Sequence, residues 1–217
     1  MKLFAHLLSA DPAAPRLTAY NESTGARMDF SAQTLDNWAA KIANMLEEEL
    51  DLEEGSTIAI DLPVGWQAAV TVFGALAARV NVRMTSEPSD EDAVFTTLER
   101  HEAWAGSGAD VLLVSEDPFG RGIEESGGEM PLGALDFGPT VRFYGDQYFG
   151  DAPALPEIID APTTERLLST GWTDFDGFTD VVLRPLAGGG SAVVVAGVAD
   201  TDRLDEIAAS EKTTARA

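Results

Sequence analysis

Few side chains in these 217 residues are of the types that usually carry catalysis: two histidines, no cysteine, and 37 acids against 14 bases. His6 and His101 fall in different predicted helices, and His101, among Glu99, Arg100 and Glu102, reads as a surface histidine. A nucleophile–histidine–carboxylate set stays open on sequence alone, with no Gly-x-Ser-x-Gly elbow to support it. No His-Glu-x-x-His and no histidine cluster offers a transition-metal site, and no Gly-x-x-x-x-Gly-Lys-Ser/Thr loop offers a phosphate cradle. The absence of thiols excludes thiolate zinc, iron–sulfur clusters and disulfides, and fits a reducing, cytoplasmic setting.

The glycine-rich runs do not make dinucleotide fingerprints. Gly188, Gly189 and Gly190 precede a predicted strand, as do Gly106 and Gly108, so they read as helix ends and tight turns. Adjacent carboxylates are expected by chance at this acid content. The run 47–54 holds six acids and no base. It reads as a solvated helix end, because a calcium loop needs alternating ligand spacing. A net charge of −23 repels nucleic acid and anionic lipid alike. No apolar stretch is long enough for a membrane span, since 68–80 is broken by Gly74 and Arg79. The segment 1–10 reads as a short amphipathic helix rather than an export signal.

The elements that must position any site follow from apolar periodicity. Residues 16–20 and 27–30 alternate around the turn 21–25, predicting a hairpin. Ser31 fits a helix cap, and Leu35, Trp38, Ala39, Ile42, Met45, Leu46 and Leu50 then share one helical face. A strand over 57–62, an apolar helix from Gly65 to about Arg79 and a short strand over 80–84 come next. Ser89 and the acids after it predict a helix running to about Trp104, followed by a buried strand over 111–114. Residues 116–165 hold eight glycines, six prolines and eleven acids against two bases, Arg121 and Arg142, and read as irregular apart from a strand over 140–144. Regular structure returns with 166–170, a helix over about 175–186, a strand over 192–196 and a helix over about 201–210. Alternating strands and helices predict an α/β fold: a mostly parallel sheet with flanking helices, plus an N-terminal hairpin, in a single domain over 1–217.

This order resembles the N-terminal domain of the adenylate-forming (AMP-binding) superfamily, which includes the acyl-CoA synthetases. Residues 15–20 are similar to its first strand, and Met28 to Ser31 with Leu35 resemble its "tY-x-e-L" lead-in to the first long helix. Residues 39–46 match that helix's "A-x-x-L", 52–60 are like "gv-x-x-GD-x-Vai", and Leu62, Pro63, Trp66 and 75–78 continue the pattern. Residues 166–199 resemble the segment after the superfamily's phosphate loop, and 200–214 the helix that follows. The resemblance implies an acetyl-CoA synthetase-like N-terminal domain in a small family of truncated actinobacterial homologues. The preference for arginine over lysine, eleven to three, agrees with a high-GC genome.

The superfamily's S-G-T-T-G-x-P-K-G loop has no counterpart. The nearest string, 126–133, carries Leu132 in the lysine's place and adds Glu129. The remaining catalytic motifs would lie beyond Ala217. No catalytic residue, metal or cofactor is therefore expected, and binding of ATP, AMP or CoA is unsupported by motifs. The resemblance places Trp172, Asp174 and Gly177 at a turn that lines an acyl or acceptor pocket in relatives; the alternative is Asp174 as a helix cap and Trp172 as packing. Arg142 is a further ligand candidate, with an ion pair as its alternative. The expectation is a catalytically inactive binding or interaction module, with a homo-oligomer or a protein partner in view. The alternatives are the N-terminal half of a split, AMP-forming acid ligase, or an oligomeric scaffold.

Overall fold

The computed structural model describes residues Met1–Ala217. The chain begins with a short helix, α1 (Ala5–Ala10), and a hairpin of β1 (Pro15–Asn21) and β2 (Ala26–Ser31), then the long helix α2 (Ala32–Glu48). β3 (Thr57–Asp61), α3 (Trp66–Ala77), β4 (Asn81–Met84), β5 (Ala93–Thr96), β6 (Asp110–Leu113) and β7 (Ala134–Asp136) follow, then α4 (Phe137–Arg142) and α5 (Leu155–Ile158). The last part comprises β8 (Arg166–Ser169), α6 (Phe175–Phe178), a wide π turn (Thr179–Leu183), α7 (Arg184–Ala187), β9 (Ser191–Ala196), α8 (Thr201–Glu211) and β10 (Ala215–Arg216). Two compact units result. One is built mainly from 37–63 and 67–152, the other from 2–36, 64–66 and 153–217.

The first unit holds a five-stranded sheet in the order β4-β3-β5-β6-β7, parallel throughout. Its central strands are buried on both faces, which explains their unbroken apolar runs, Ile58 to Ile60 and Ala93 to Phe95. Ala59, Val94 and Trp104 form one apolar cluster. α3 is apolar almost all round, as a helix enclosed by protein must be. Gly74 lets it approach α2, because a side chain there would collide with Ile42.

The second unit holds the other sheet, in the order β10-β8-β9-β1-β2. Only β1 and β2 are antiparallel; their turn is fixed by the Asn21 side chain, which accepts from the Ser23 amide at 3.0 Å, and by Gly25 at φ +71°. Leu168, Val193, Val195 and Ile207 make the core beneath α8.

The mostly parallel α/β architecture and the hairpin match the sequence reading. Two expected elements differ, and the stretch 116–165, read as otherwise irregular, also holds β7 and α5. Residues 89–104 were expected as one helix, but they form β5 and a 3-10 turn at His101–Trp104. The acids that suggested a helix start have other partners: Asp92 accepts from the Thr57 amide at 2.7 Å, and buried Glu91 takes Arg83 and the Ser89 amide. Residues 140–144 were expected as a strand, but most of them lie in α4. Phe137 and Val141, four apart, are both buried, with Phe137 edge-on to Phe95 at 5.7 Å, whereas Phe143 is exposed. That spacing is helical. The strand of this region is instead β7, immediately before it.

Candidate functional site

The turn that follows β8 gathers three of the residues singled out from the sequence. Ser169 closes the strand opposite Val194, and its buried hydroxyl has no hydrogen-bond partner. Gly171 then turns the chain at φ +107°, where a side chain would meet Val64 Cγ1 at 2.6 Å. Trp172 lies edge-on to Phe178, with ring centroids 4.8 Å apart. Asp174 is extended, and its carboxylate accepts from the Gly177 amide at 2.7 Å, capping α6. The helix widens over Thr179–Leu183 just before Pro185, which lacks an N–H and crowds the carbonyl four residues back.

Chemically, this turn offers an uncommitted hydroxyl, an aromatic face and one carboxylate already occupied as a cap. No base lies within hydrogen-bond reach of Ser169, so nothing here raises its nucleophilicity. Asp174→Ala is expected to cost about 1 kcal/mol, the usual worth of an N-cap, read as a small drop in thermal midpoint. A much larger loss would mean that the carboxylate supports more than the helix end.

The fourth candidate, Arg142, belongs to the other unit and is committed there. Its Nη2 lies 2.6 Å from both carboxylate oxygens of Glu125, which also accepts from the Gly122 amide at 2.7 Å. Those bonds, Arg142 first, hold the Glu125 carboxyl below its ordinary range. Arg121 is likewise paired, with Asp117 at 2.7 Å. The string 126–133 turns at Gly127 and Gly133, both at positive φ, and leaves Leu132 fully exposed.

Sequence reasoning passed over a second cluster. The strand order of the first sheet runs second-first-third-fourth-fifth, so its direction of winding reverses between β3 and β5, the place where open parallel sheets commonly bind ligands. Asp61 closes β3 there, 3% exposed. It is taken up by Arg100, by the Trp104 indole N–H at 3.0 Å and by the Thr96 hydroxyl at 3.3 Å. The available signal was an acid ending an otherwise apolar strand. The histidines are elsewhere. His6 contacts the Leu186 carbonyl at 2.8 Å through Nε2, and His101 begins the 3-10 turn, partly exposed. No group of three or more His, Asp or Glu side chains is placed to hold a metal ion, and no helix is long and apolar enough to cross a membrane.

No protein-family model matches the chain. A Mycobacterium tuberculosis (strain H37Rv) protein described as a "TIGR03089 family protein" is 34% identical over 232 aligned positions, covering 96% of this chain and 93% of that one. Among solved structures, an acyl-CoA synthetase from Brucella canis superposes with a TM-score of 0.74 at 16% identity, over 94% of this chain and 44% of its own. A benzoate CoA ligase from Burkholderia xenovorans LB400 gives 0.69 at 15% identity, over 100% and 50%. The anthranilate CoA ligase AuaEII, solved with anthranoyl-AMP, gives 0.67 at 10% identity, over 90% and 44%. The fold is thus that of an acyl-CoA synthetase-like N-terminal domain, and the chain spans about half the length of these ligases.

Proposed function

The chain belongs to the TIGR03089 family, and we propose that it uses an adenylate-forming fold as a binding or interaction module without catalysing adenylation. One observation carries this reading: the acidic segment standing where the resemblance places the phosphate loop. Adenylation needs positive charge on the triphosphate and a cation that follows charge onto the α-phosphate. Here the segment 116–165 holds eleven acids and no lysine, and its two bases, Arg121 and Arg142, are spent on Asp117 and Glu125. A triphosphate brought to this segment meets like charge.

Purified protein is expected to give no ATP–pyrophosphate exchange with any carboxylic acid, and no rise in melting temperature with ATP, AMP or CoA. A ligand bound by the native state alone would raise it. Exchange above the enzyme-free blank overturns the reading. A second reading is that the chain is one half of a split acid ligase acting in the cytoplasm. It is supported by the 44–50% coverage of the solved ligases. It requires ATP consumption that appears only when a second chain is added.

A further inference from the structure

The stretch from Phe143 to Asp151 is irregular, yet it is fastened like a strap to α2. Lys41 Nζ donates to the Tyr144 carbonyl at 2.6 Å, and Asn44 Nδ2 donates to the carbonyls of Gly145 and Gln147 at 3.0 Å each. The hydroxyls of Tyr144 and Tyr148 donate to the carboxylates of Glu49 and Glu47. Lys41, Asn44 and Glu47 recur every three residues, so one helical face does the fastening. Arg79 holds the far end, donating to the Asp151 carbonyl at 2.7 Å and to its carboxylate at 2.9 Å. Burial and the bond to Glu49 push the Tyr144 phenol up to about 12, and burial and the bond to Glu47 push Tyr148 up as well, so both stay donors at neutral pH. Gly150 is part of the same arrangement, since a side chain there would strike the Tyr148 ring.

A segment held this firmly nevertheless leaves two phenylalanines in solvent, Phe143 at 89% and Phe149 at 90% exposure. They are six positions apart in the chain, so they lie within about 20 Å of each other, inside the footprint of one partner. Their surroundings are strongly acidic. The strap carries Asp146 and Asp151 and no base, and the stretch 47–54, where two anchors lie, holds six acids and no base. The neighbouring cations are already engaged: Arg142, next to Phe143, with Glu125, and Lys41 and Arg79 in holding the strap.

We infer that this strap is a docking surface for a basic, arginine-bearing segment of a partner protein, whose guanidinium groups stack on Phe143 and Phe149 while pairing with the carboxylates around them. Charge decides between occupants. A second copy of a chain at −23 and an anionic lipid surface both meet repulsion, whereas a cationic segment gains attraction and cation–π contact at the same rings. The fastening keeps the two rings displayed before the partner arrives, which lowers the ordering cost of binding. This inference deepens the interaction-module reading by naming the partner's chemistry, and the two fail separately, since pyrophosphate exchange tests only the latter.

The test uses the full chain and a synthetic peptide alternating arginine and leucine, with a glutamate-for-arginine peptide as control, by titration calorimetry at two salt concentrations. The arginine peptide is expected to bind, more weakly at high salt, and the control not at all. The double variant Phe143→Ser/Phe149→Ser is expected to keep its melting temperature and lose roughly tenfold or more in affinity, as for aromatic anchors at an interface. Tyr144→Phe/Tyr148→Phe, which removes two of the strap's fastenings but spares both rings, is expected to bind less tightly than the parent. Equal affinity of the parent and the Phe143→Ser/Phe149→Ser variant overturns the inference, as does failure of the parent to bind the peptide. Dimerisation abolished by that same variant would assign the surface to a second copy. Binding to phosphatidylglycerol vesicles would assign it to a membrane.

Discussion

Glu211→Ala is expected to destabilise the protein by about 3–5 kcal/mol, the usual cost of removing one member of a buried charge cluster. That corresponds to a fall of about 10 °C in melting temperature for a chain of this size. The side chain is 6% exposed at the end of α8. Its carboxylate accepts from the Tyr20 hydroxyl at 2.6 Å, from Arg27 Nε at 2.8 Å and from Arg166 Nη2 at 2.6 Å. Arg166 also reaches Thr18 at 3.0 Å, Ser191 at 3.1 Å and the Glu211 carbonyl at 2.7 Å, so the cluster joins β1, β8, β9 and α8. Without the carboxylate, Arg166, 18% exposed, keeps only neutral acceptors, while Arg27 retains Asp29 at 2.8 Å.

The same cluster sets a pH signature. Burial alone would raise the Glu211 carboxyl, but the bonds from Arg27, Tyr20 and Arg166 outweigh it and hold the group at about 2, down from 4.5. A carboxyl depressed in the folded state contributes its full stability above its unfolded value and loses it as pH falls through the folded one. The contribution, about 3 kcal/mol, is therefore present above pH 4.5 and lost between there and pH 2. Denaturant titrations of the parent and of Glu211→Gln should show a constant gap from pH 8 to 5 that closes below. Parallel curves through the acid range would mean that the charge on Glu211 is not what holds the cluster.

This cluster was invisible in the sequence for a physical reason. Its bonds join residues 191 and 184 apart, brought together by the parallel placement of β1 beside β9 and β9 beside β8. Local pattern carries no trace of such pairings. What the sequence did disclose is what neighbours decide: the hairpin from alternation around the turn residues Asn21 to Gly25, α2 from its apolar face, and the Asp174 cap from an acid three residues ahead of an amide in need of a partner. The misread segments obey the same rule. Short apolar runs such as 93–96 fit strand or helix equally until their neighbours in the sheet are known. Around 140–144, β-branched and aromatic residues suggested a strand, and burial of Phe137 and Val141 on one side decided for a helix. The strap over 143–151 was equally hidden, because its exposed phenylalanines follow no period and its anchors sit about a hundred residues earlier.

Asp61 is the second position where one substitution is expected to matter most. Asp61→Ala should cost about 3–5 kcal/mol, because it removes the acceptor for a buried indole N–H, a buried hydroxyl and a guanidinium at once. The three donors do not lose equally. Arg100 is 51% exposed and can turn to water, whereas Trp104 at 1% and Thr96 at 0% cannot, so most of the cost belongs to the indole N–H and the hydroxyl. Two comparisons follow. Asp61→Asn keeps an acceptor for Trp104 and should cost under half as much as Asp61→Ala; Arg100→Ala leaves the Asp61 carboxylate, 1% exposed, buried without its counter-charge and should cost about 3 kcal/mol. Trp104→Phe keeps most of the apolar packing against Ala59 and Val94 but deletes the N–H, so in the double variant Asp61→Ala/Trp104→Phe part of each penalty should vanish. Chemical denaturation of the four proteins in that cycle should give a coupling of about 1 kcal/mol or more. Strict additivity would separate the indole from the carboxylate and leave Asp61 free, at the reversal point of a parallel sheet, to meet a ligand instead.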